Sequence, residues 1–166
     1  IIGQNRFNEE LGEPAREGSH NLVVGDFHSY NGTNNFLSGI GNGVWSDFGA
    51  IMAGTGNQLG TDSTLVQNSA IVSGKGNIIS GGDPSQSVIV GGQNNIIGAD
   101  STDTRFTAVV GGRFNEIQAG YANSIFGGIN NHCEASSAGS VSNRAIFGGI
   151  GNANRALYGS AIFGGY

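Results

Sequence analysis

The sequence predicts an all-β fold, a parallel β-roll or β-solenoid of short strands with about 15–21 residues per coil. Three observations carry that expectation. A burst of one small residue, two apolar residues, two glycines or near equivalents and then an asparagine recurs along most of the chain. The asparagines of successive bursts keep a spacing close to one coil of a solenoid, while the segments between them vary in length. No apolar pattern at i, i+3, i+4 runs long enough for an ordinary helix, and 31 glycines in 166 residues oppose helix formation.

The repeat is clearest at Ala108-Val109-Val110-Gly111-Gly112 with Asn115, followed by Ser124-Ile125-Phe126-Gly127-Gly128 with Asn131. Earlier copies are Phe36 to Asn42, Ile51 to Asn57 with Gly54, Ile71 to Asn77 with Gly74, and Ile89 to Asn95 with Gly91 and Gly92. A later copy runs from Ile146 through Gly148 and Gly149 to Asn152. Val23-Val24-Gly25 is a degenerate first copy with Ser29 in the asparagine position, and Ile162-Phe163-Gly164-Gly165-Tyr166 ends the sequence. A weaker apolar beat follows at Leu59, Ile78-Ile79, Ile96-Ile97 and Ile117. Each unit therefore reads as two strands and two turns.

The glycines are assigned to sharp corners, where φ is positive. The asparagines tolerate the same region and, stacked coil over coil, can form an amide ladder. Gly54, Asn57, Gly74, Asn77, Gly91, Gly92, Asn95, Gly111, Gly112, Asn115, Gly127, Gly128, Asn131, Gly148, Gly149 and Asn152 are thus the turn-forming set.

Adjacent strand residues point to opposite faces. Ile51, Ile71, Ile89, Val109, Ile125, Ile146 and Ile162 form one column, and Met52, Val72, Val90, Val110, Phe126, Phe147 and Phe163 the other. One column can fill the coil interior. The other must then face outward as an apolar stripe, which soluble monomers seldom expose beyond a few hundred Å². The expectation is burial against further copies of the same chain, the alternative being one wide, flattened solenoid in which both columns find partners within the chain.

At these residues the sequence resembles the Gly-Gly-x-x-Asn repeats of surface fibres: the YadA-like heads of trimeric autotransporter adhesins and related repeats of phage tail fibres. Ala70-Ile71-Val72-Ser73-Gly74 and Ala145-Ile146-Phe147-Gly148-Gly149 carry the likeness, which covers residues 21 to 166. The resemblance implies a left-handed parallel β-roll, assembled as an intertwined or side-by-side homotrimer, in an extracellular or virion fibre. The units here are longer and less regular than an adhesin head's, and no coiled-coil heptad is present.

Residues 1–20 read as a degenerate first coil with a charged insertion, since residues 6 to 20 hold six charged residues. Residues 21–166 read as the repeat domain, and the uncapped ends suggest a piece of a longer fibre. Further excursions are expected at Gly60–Asn68, Gly81–Ser87, Gly98–Thr107 and His132–Arg144, decorating one or more edges.

The chain carries a net charge of -5, with Lys75 and six scattered arginines and no basic stripe for nucleic acid. No apolar run approaches a membrane span. The single cysteine, Cys133, excludes an internal disulfide and reads as buried or idle. Gly54-Thr55-Gly56 and Gly74-Lys75-Gly76 do not complete a phosphate loop. His20, His28 and His132 share no metal-ligand spacing and read as solvated loop residues, as do Asp100 and Asp103. Asn31-Gly32-Thr33 is a lone glycosylation sequon.

The sequence-based expectation is therefore a non-enzymatic structural segment of a phage-like virion tail fibre serving host attachment. It needs no cofactor or metal, with itself as partner, and a host surface glycan or receptor as a second. The alternatives are the head or stalk of a bacterial trimeric adhesin, and a polysaccharide-cleaving tailspike.

Overall fold

The computed structural model describes residues 16–61, 66–81, 84–98, 104–134 and 142–166. The expectations for the charged stretch before Arg16 and for Asp100 and Asp103 lie outside these residues. The fold is an all-β parallel solenoid of about eight coils. One sheet stacks the main beat, from Leu22–Asp26 and Phe36–Ile40 through Ala50–Ile51, Ala70–Ile71, Val88–Ile89, Ala108–Val109 and Ser124–Phe126 to Ser142–Phe147 and Tyr158–Phe163. The second sheet stacks the weaker beat: Ser29–Asn31, Gly43–Asp47, Gln58–Leu59, Ile78–Ile79, Ile96–Ile97, Glu116–Ile117, His132–Cys133 and Ala153–Asn154. The repeat units align as the sequence implies, with Ile89 beside Ile71 and Val109, and Ile125 beside Ile146.

A third short run, absent from the sequence reading, completes several coils. Ser46 and Asp47 pair with Val66 and Gln67, and Thr104 and Arg105 pair with Gly120 and Tyr121. The shortest coils are also one residue shorter than expected, because Asn35 and Gly49 lie 14 residues apart on consecutive rungs.

The interior is one continuous stack. Leu37, Ile51, Ile71, Ile89, Val109, Ile125 and Ile146 enter it from the first sheet, and Val44, Leu59, Ile79, Ile97, Ile117 and Cys133 from the second, all at 0 % exposure. Burial of each such aliphatic side chain contributes about 1.5–3 kcal/mol. Ile162, on the last rung, is only partly buried.

Two polar ladders close the corners. In the first, Asn57, Asn77, Asn95, Asn115, Asn131 and Asn152 each donate a backbone N–H to the Oδ1 of the asparagine one coil earlier, at 2.8–3.1 Å. Each Nδ2 also reaches back four residues, as from Asn115 to Gly111 O at 3.3 Å. His28, not Ser29, fills this position in the first coil. Its Nδ1 accepts from Asn42 N at 3.2 Å, its Nε2 lies 3.2 Å from Val24 O, and the ring is fully buried. His28 is therefore a ladder residue and not a solvated one. A ring with one acceptor and one donor nitrogen can do both jobs of the asparagine amide.

The second ladder uses mixed residues immediately before each main-beat strand. Asn21 Oδ1 accepts from Asn35 N, Asn35 Oδ1 from Gly49 N, Ser69 Oγ from Ser87 N, and Asn123 Oδ1 from Arg144 N. The bond is the same in these four cases while the residue type changes, and Gly49, with no side chain, interrupts the series.

Left-handed residues turn the chain at both corners. Before the asparagines they are Gly41, Gly56, Gly76, Asn94, Phe114, Asn130 and Gly151; before the main-beat strands they are Asn34, Phe48, Asn68, Gln86, Phe106 and Ala122. In the strands N–H groups donate to the next coil, as from Phe36 to Gly49 O. At the left-handed positions the donation reverses: Phe114 N reaches Gln93 O and Phe48 N reaches Thr33 O, both at 3.0 Å one coil earlier. That bond compensates a conformation costing about 1–2 kcal/mol in a residue with a Cβ.

Gly-Gly pairs have two separate causes. At Gly112 (φ +82°) a Cβ would stand 2.3 Å from Asn115 Nδ2 and 2.4 Å from Gly128 O, so the stacking itself excludes a side chain. At Gly111 (φ +77°) the space is open and only the backbone angle favours glycine. Gly54, Gly74, Gly92, Gly128 and Gly149 repeat the Gly112 situation; Gly127 and Gly148 hold positive φ with space around them, while at Gly91 a Cβ would lie 3.2 Å from Ser73 Oγ.

Candidate functional site

The outer side of the first sheet is the most distinctive surface. Strand alternation turns Met52, Val72, Val90, Val110, Phe126, Phe147 and Phe163 outward while their neighbours fill the core. The Phe126, Phe147 and Phe163 rings are 44 %, 42 % and 79 % exposed in the single chain. They stack in parallel, with centroids 4.9 and 4.8 Å apart and interplanar angles of 3° and 5°. That interval is the rung spacing of a parallel sheet, so the backbone register sets the ring stack. The companion outward positions are small or aliphatic: Ala50, Ala70, Val88, Ala108, Ser124 and Ala145. No charged residue lies in either column, and the face is flat and apolar along the roll axis.

The insertions leave from one seam. The second sheet ends its rungs at Leu59, Ile79, Ile97 and Cys133, and the chain rejoins the roll at Val66, Pro84, Thr104 and Ser142. The expected excursions thus leave from a single edge, and their bounds tighten: Val66–Gln67 and Thr104–Arg105 are strands within two of them, and both bounds of the last one change. His132 belongs to a second-sheet strand, where its Nδ1 lies 3.2 Å from Glu116 Oε2 on the preceding rung. Arg144 belongs to the strand Ser142–Phe147.

Arg144 is 1 % exposed. Its guanidinium donates to the carbonyls of Ala119 (2.8 Å), Asn154 (2.9 Å) and Glu134, and its Nε to Asn123 Oδ1 (3.3 Å). Desolvation holds its pKa below the ordinary arginine value. Carbonyl dipoles make the direct hydrogen bonds to this buried charge, and the Glu134 carboxylate adds a coulombic attraction. Burial also pushes the nearby Cys133 thiol up to about 11, against a smaller downward pull from Arg144. A neutral thiol of that kind is a poor nucleophile. Glu134 spends its carboxylate on Arg155, which lowers its pKa.

Among the described residues no group of three or more His, Cys, Asp or Glu side chains is placed to hold a metal. No helix among them is long and apolar enough to cross a membrane. His20 is exposed on its corner, and its Nδ1 lies 3.0 Å from Ser19 Oγ. Sequence reasoning missed the second-sheet core position Val44, and it expected Cys133 to be buried or idle without placing it in the second-sheet column, whose beat is not uniformly aliphatic. It also missed the second ladder, whose signal is a polar residue directly before each small-apolar pair.

No family model, no curated protein and no solved structure matches the chain. The fold itself defines the protein as an all-β parallel β-solenoid.

Proposed function

We propose that this chain is a structural segment of a surface fibre, a phage-like virion tail fibre serving host attachment, assembled as a homotrimer and not an enzyme. The single observation that supports the reading is the outward column of Met52, Val72, Val90, Val110 and the stacked Phe126, Phe147 and Phe163. It runs parallel to the roll axis, carries no charge and lies beside a column of small side chains that permit close approach. Such a face suits copies packed side by side around a common axis. A thread bound along its length resists bending more than a single roll does, which is what a fibre needs. The setting is outside the cell, on a virion or a cell surface.

Light scattering coupled to size exclusion tests the assembly. The chain should elute as a trimer of the 16.9 kDa subunit. Phe147→Ser, which removes an outward ring and no core contact, should shift the population toward monomer while far-UV circular dichroism stays unchanged. A folded wild-type monomer at micromolar concentration would refute the reading. A screen for release of reducing ends from bacterial polysaccharides tests the non-enzymatic part.

A further inference from the structure

A groove runs along the roll on the second-sheet side of the asparagine corner. One ridge is the left-handed corner itself, through Gly41, Gly56, Asn94, Phe114 and Asn130. The other is the outward row of the second sheet, through Gln58, Ile96, Glu116 and His132. The buried asparagine ladder forms the floor. Two cavities open in this groove. One, of about 150 Å³, lies among Ser29, Asn42, Gly43, Trp45, Asn57 and Gln58. The other, of about 230 Å³, lies among Asn94, Ile96, Phe114, Glu116, Asn130 and His132. Asn57 and Asn115 are three ladder steps apart, so the cavities sit roughly 14 Å apart by the rung spacing.

Each cavity joins an aromatic ring to flat polar groups. At Gly43 a Cβ would meet Trp45 Cζ3 at 2.4 Å, so the glycine is what lets the indole lie against bare backbone. In the other cavity Phe114 stands between Asn94 and Asn130 on consecutive coils, with the Arg113 guanidinium 5.4 Å from its ring centroid. Glu116 and His132 face each other at 3.2 Å, and the His132 Nε2 lies 3.3 Å from Asn130 Oδ1.

We propose that this groove binds a neutral, linear polysaccharide along the roll axis, with one sugar ring seated at Trp45 and another at Phe114. This rests on the attachment half of the function proposed above. A pyranose offers an apolar C–H face to an aromatic ring and hydroxyls that both donate and accept. Amides, a carboxylate and an imidazole answer those hydroxyls in both directions. The other polymers fit less well. A nucleic acid would require a row of Lys and Arg to neutralise phosphates, and the groove's one carboxylate is already matched by His132. An extended peptide would need an open sheet edge, whereas the rungs in the groove are paired on both sides. The apolar face lies on the other side of the asparagine corner, so the groove stays open when that face is covered.

Trp45 is the only tryptophan, and its emission reads one cavity directly. The whole chain is titrated with malto-, cello- and chitohexaose up to roughly 10 mM, with light scattering on the same samples. At least one hexasaccharide should shift the emission saturably. Phe114→Ala and Glu116→Ala should each weaken binding by about tenfold or more, whereas Phe106→Ala, on the opposite corner, should leave it unchanged. Dextran sulfate should not compete. No saturable response to any of the three, an equal loss in Phe106→Ala, or preference for the sulfated polymer overturns the proposal. A trimer that ignores all three sugars sinks this site alone, and a monomer that binds one sinks only the assembly.

Discussion

Replacing Asn115 by alanine should cost about 4–6 kcal/mol of folding stability, because it breaks the amide ladder at its centre. In the native roll Asn115 Oδ1 accepts from Asn131 N at 3.0 Å and from Asn131 Nδ2 at 3.1 Å, and its own Nδ2 donates to Gly111 O and Gly128 O at 3.3 and 3.2 Å. Alanine removes all four bonds. Asn131 Nδ2 keeps its bonds to Gly127 O and Gly149 O, and Gly128 O keeps the N–H of Arg113. The Asn131 backbone N–H loses its acceptor in a site with no solvent access. That orphaned donor costs about 1–3 kcal/mol, and the other lost bonds about 1 kcal/mol net each. Asn152, on the last asparagine rung, supports no further asparagine, so Asn152→Ala should cost less than half as much. Urea denaturation at fixed protein concentration, followed by far-UV circular dichroism and Trp45 emission, measures both. A cost below about 1 kcal/mol for Asn115→Ala, or equal costs for the two, would refute the ladder as a source of stability.

Two further outcomes separate effects that the sequence merges. Gly112→Ala should destabilise by more than about 3 kcal/mol or prevent folding, whereas Gly111→Ala should cost only about 1–2 kcal/mol, since space is open there and only φ resists; thermal melts of the pair check this. Cys133 should react with a thiol reagent only as fast as the chain unfolds. Its folded pKa, about 11, lies above the ordinary 9.0, so the unfolded chain ionises first. Stability should therefore fall between pH 9 and about 11 by up to about 1.4 kcal/mol per pH unit more in the wild type than in Cys133→Val. A difference that is absent or of opposite sign contradicts the burial.

The main beat was legible because one position demands an aliphatic residue, another a bare backbone and a third an amide, coil after coil. Ile89, Gly92 and Asn95 could be assigned from spacing alone. Strand alternation separated the Ile125 column from the Phe126 column, and the exposures show that the first faces inward and the second outward. Elsewhere the physical requirement admits several residue types. The second ladder accepts asparagine or serine, and the opposite corner accepts asparagine, glutamine, alanine or phenylalanine at positive φ, so no single identity marks either. His28 was misread because loop-like surroundings hid a ring that replaces an amide. The groove at Trp45 and Phe114 was invisible for another reason: its residues meet only after three coils stack.

The long additions to a coil enter between the second sheet and the return to the roll, whereas the asparagine corner varies by a single residue, five from Leu37 to Asn42 and six from Ile51 to Asn57. The register of the scaffold is thereby insulated from whatever that seam displays. A foreign peptide spliced between Gly98 and Thr104 would leave both ladders and the outward rings in place. The same body could thus present new shapes to its surroundings by edits at one border, as a rail holds interchangeable fittings.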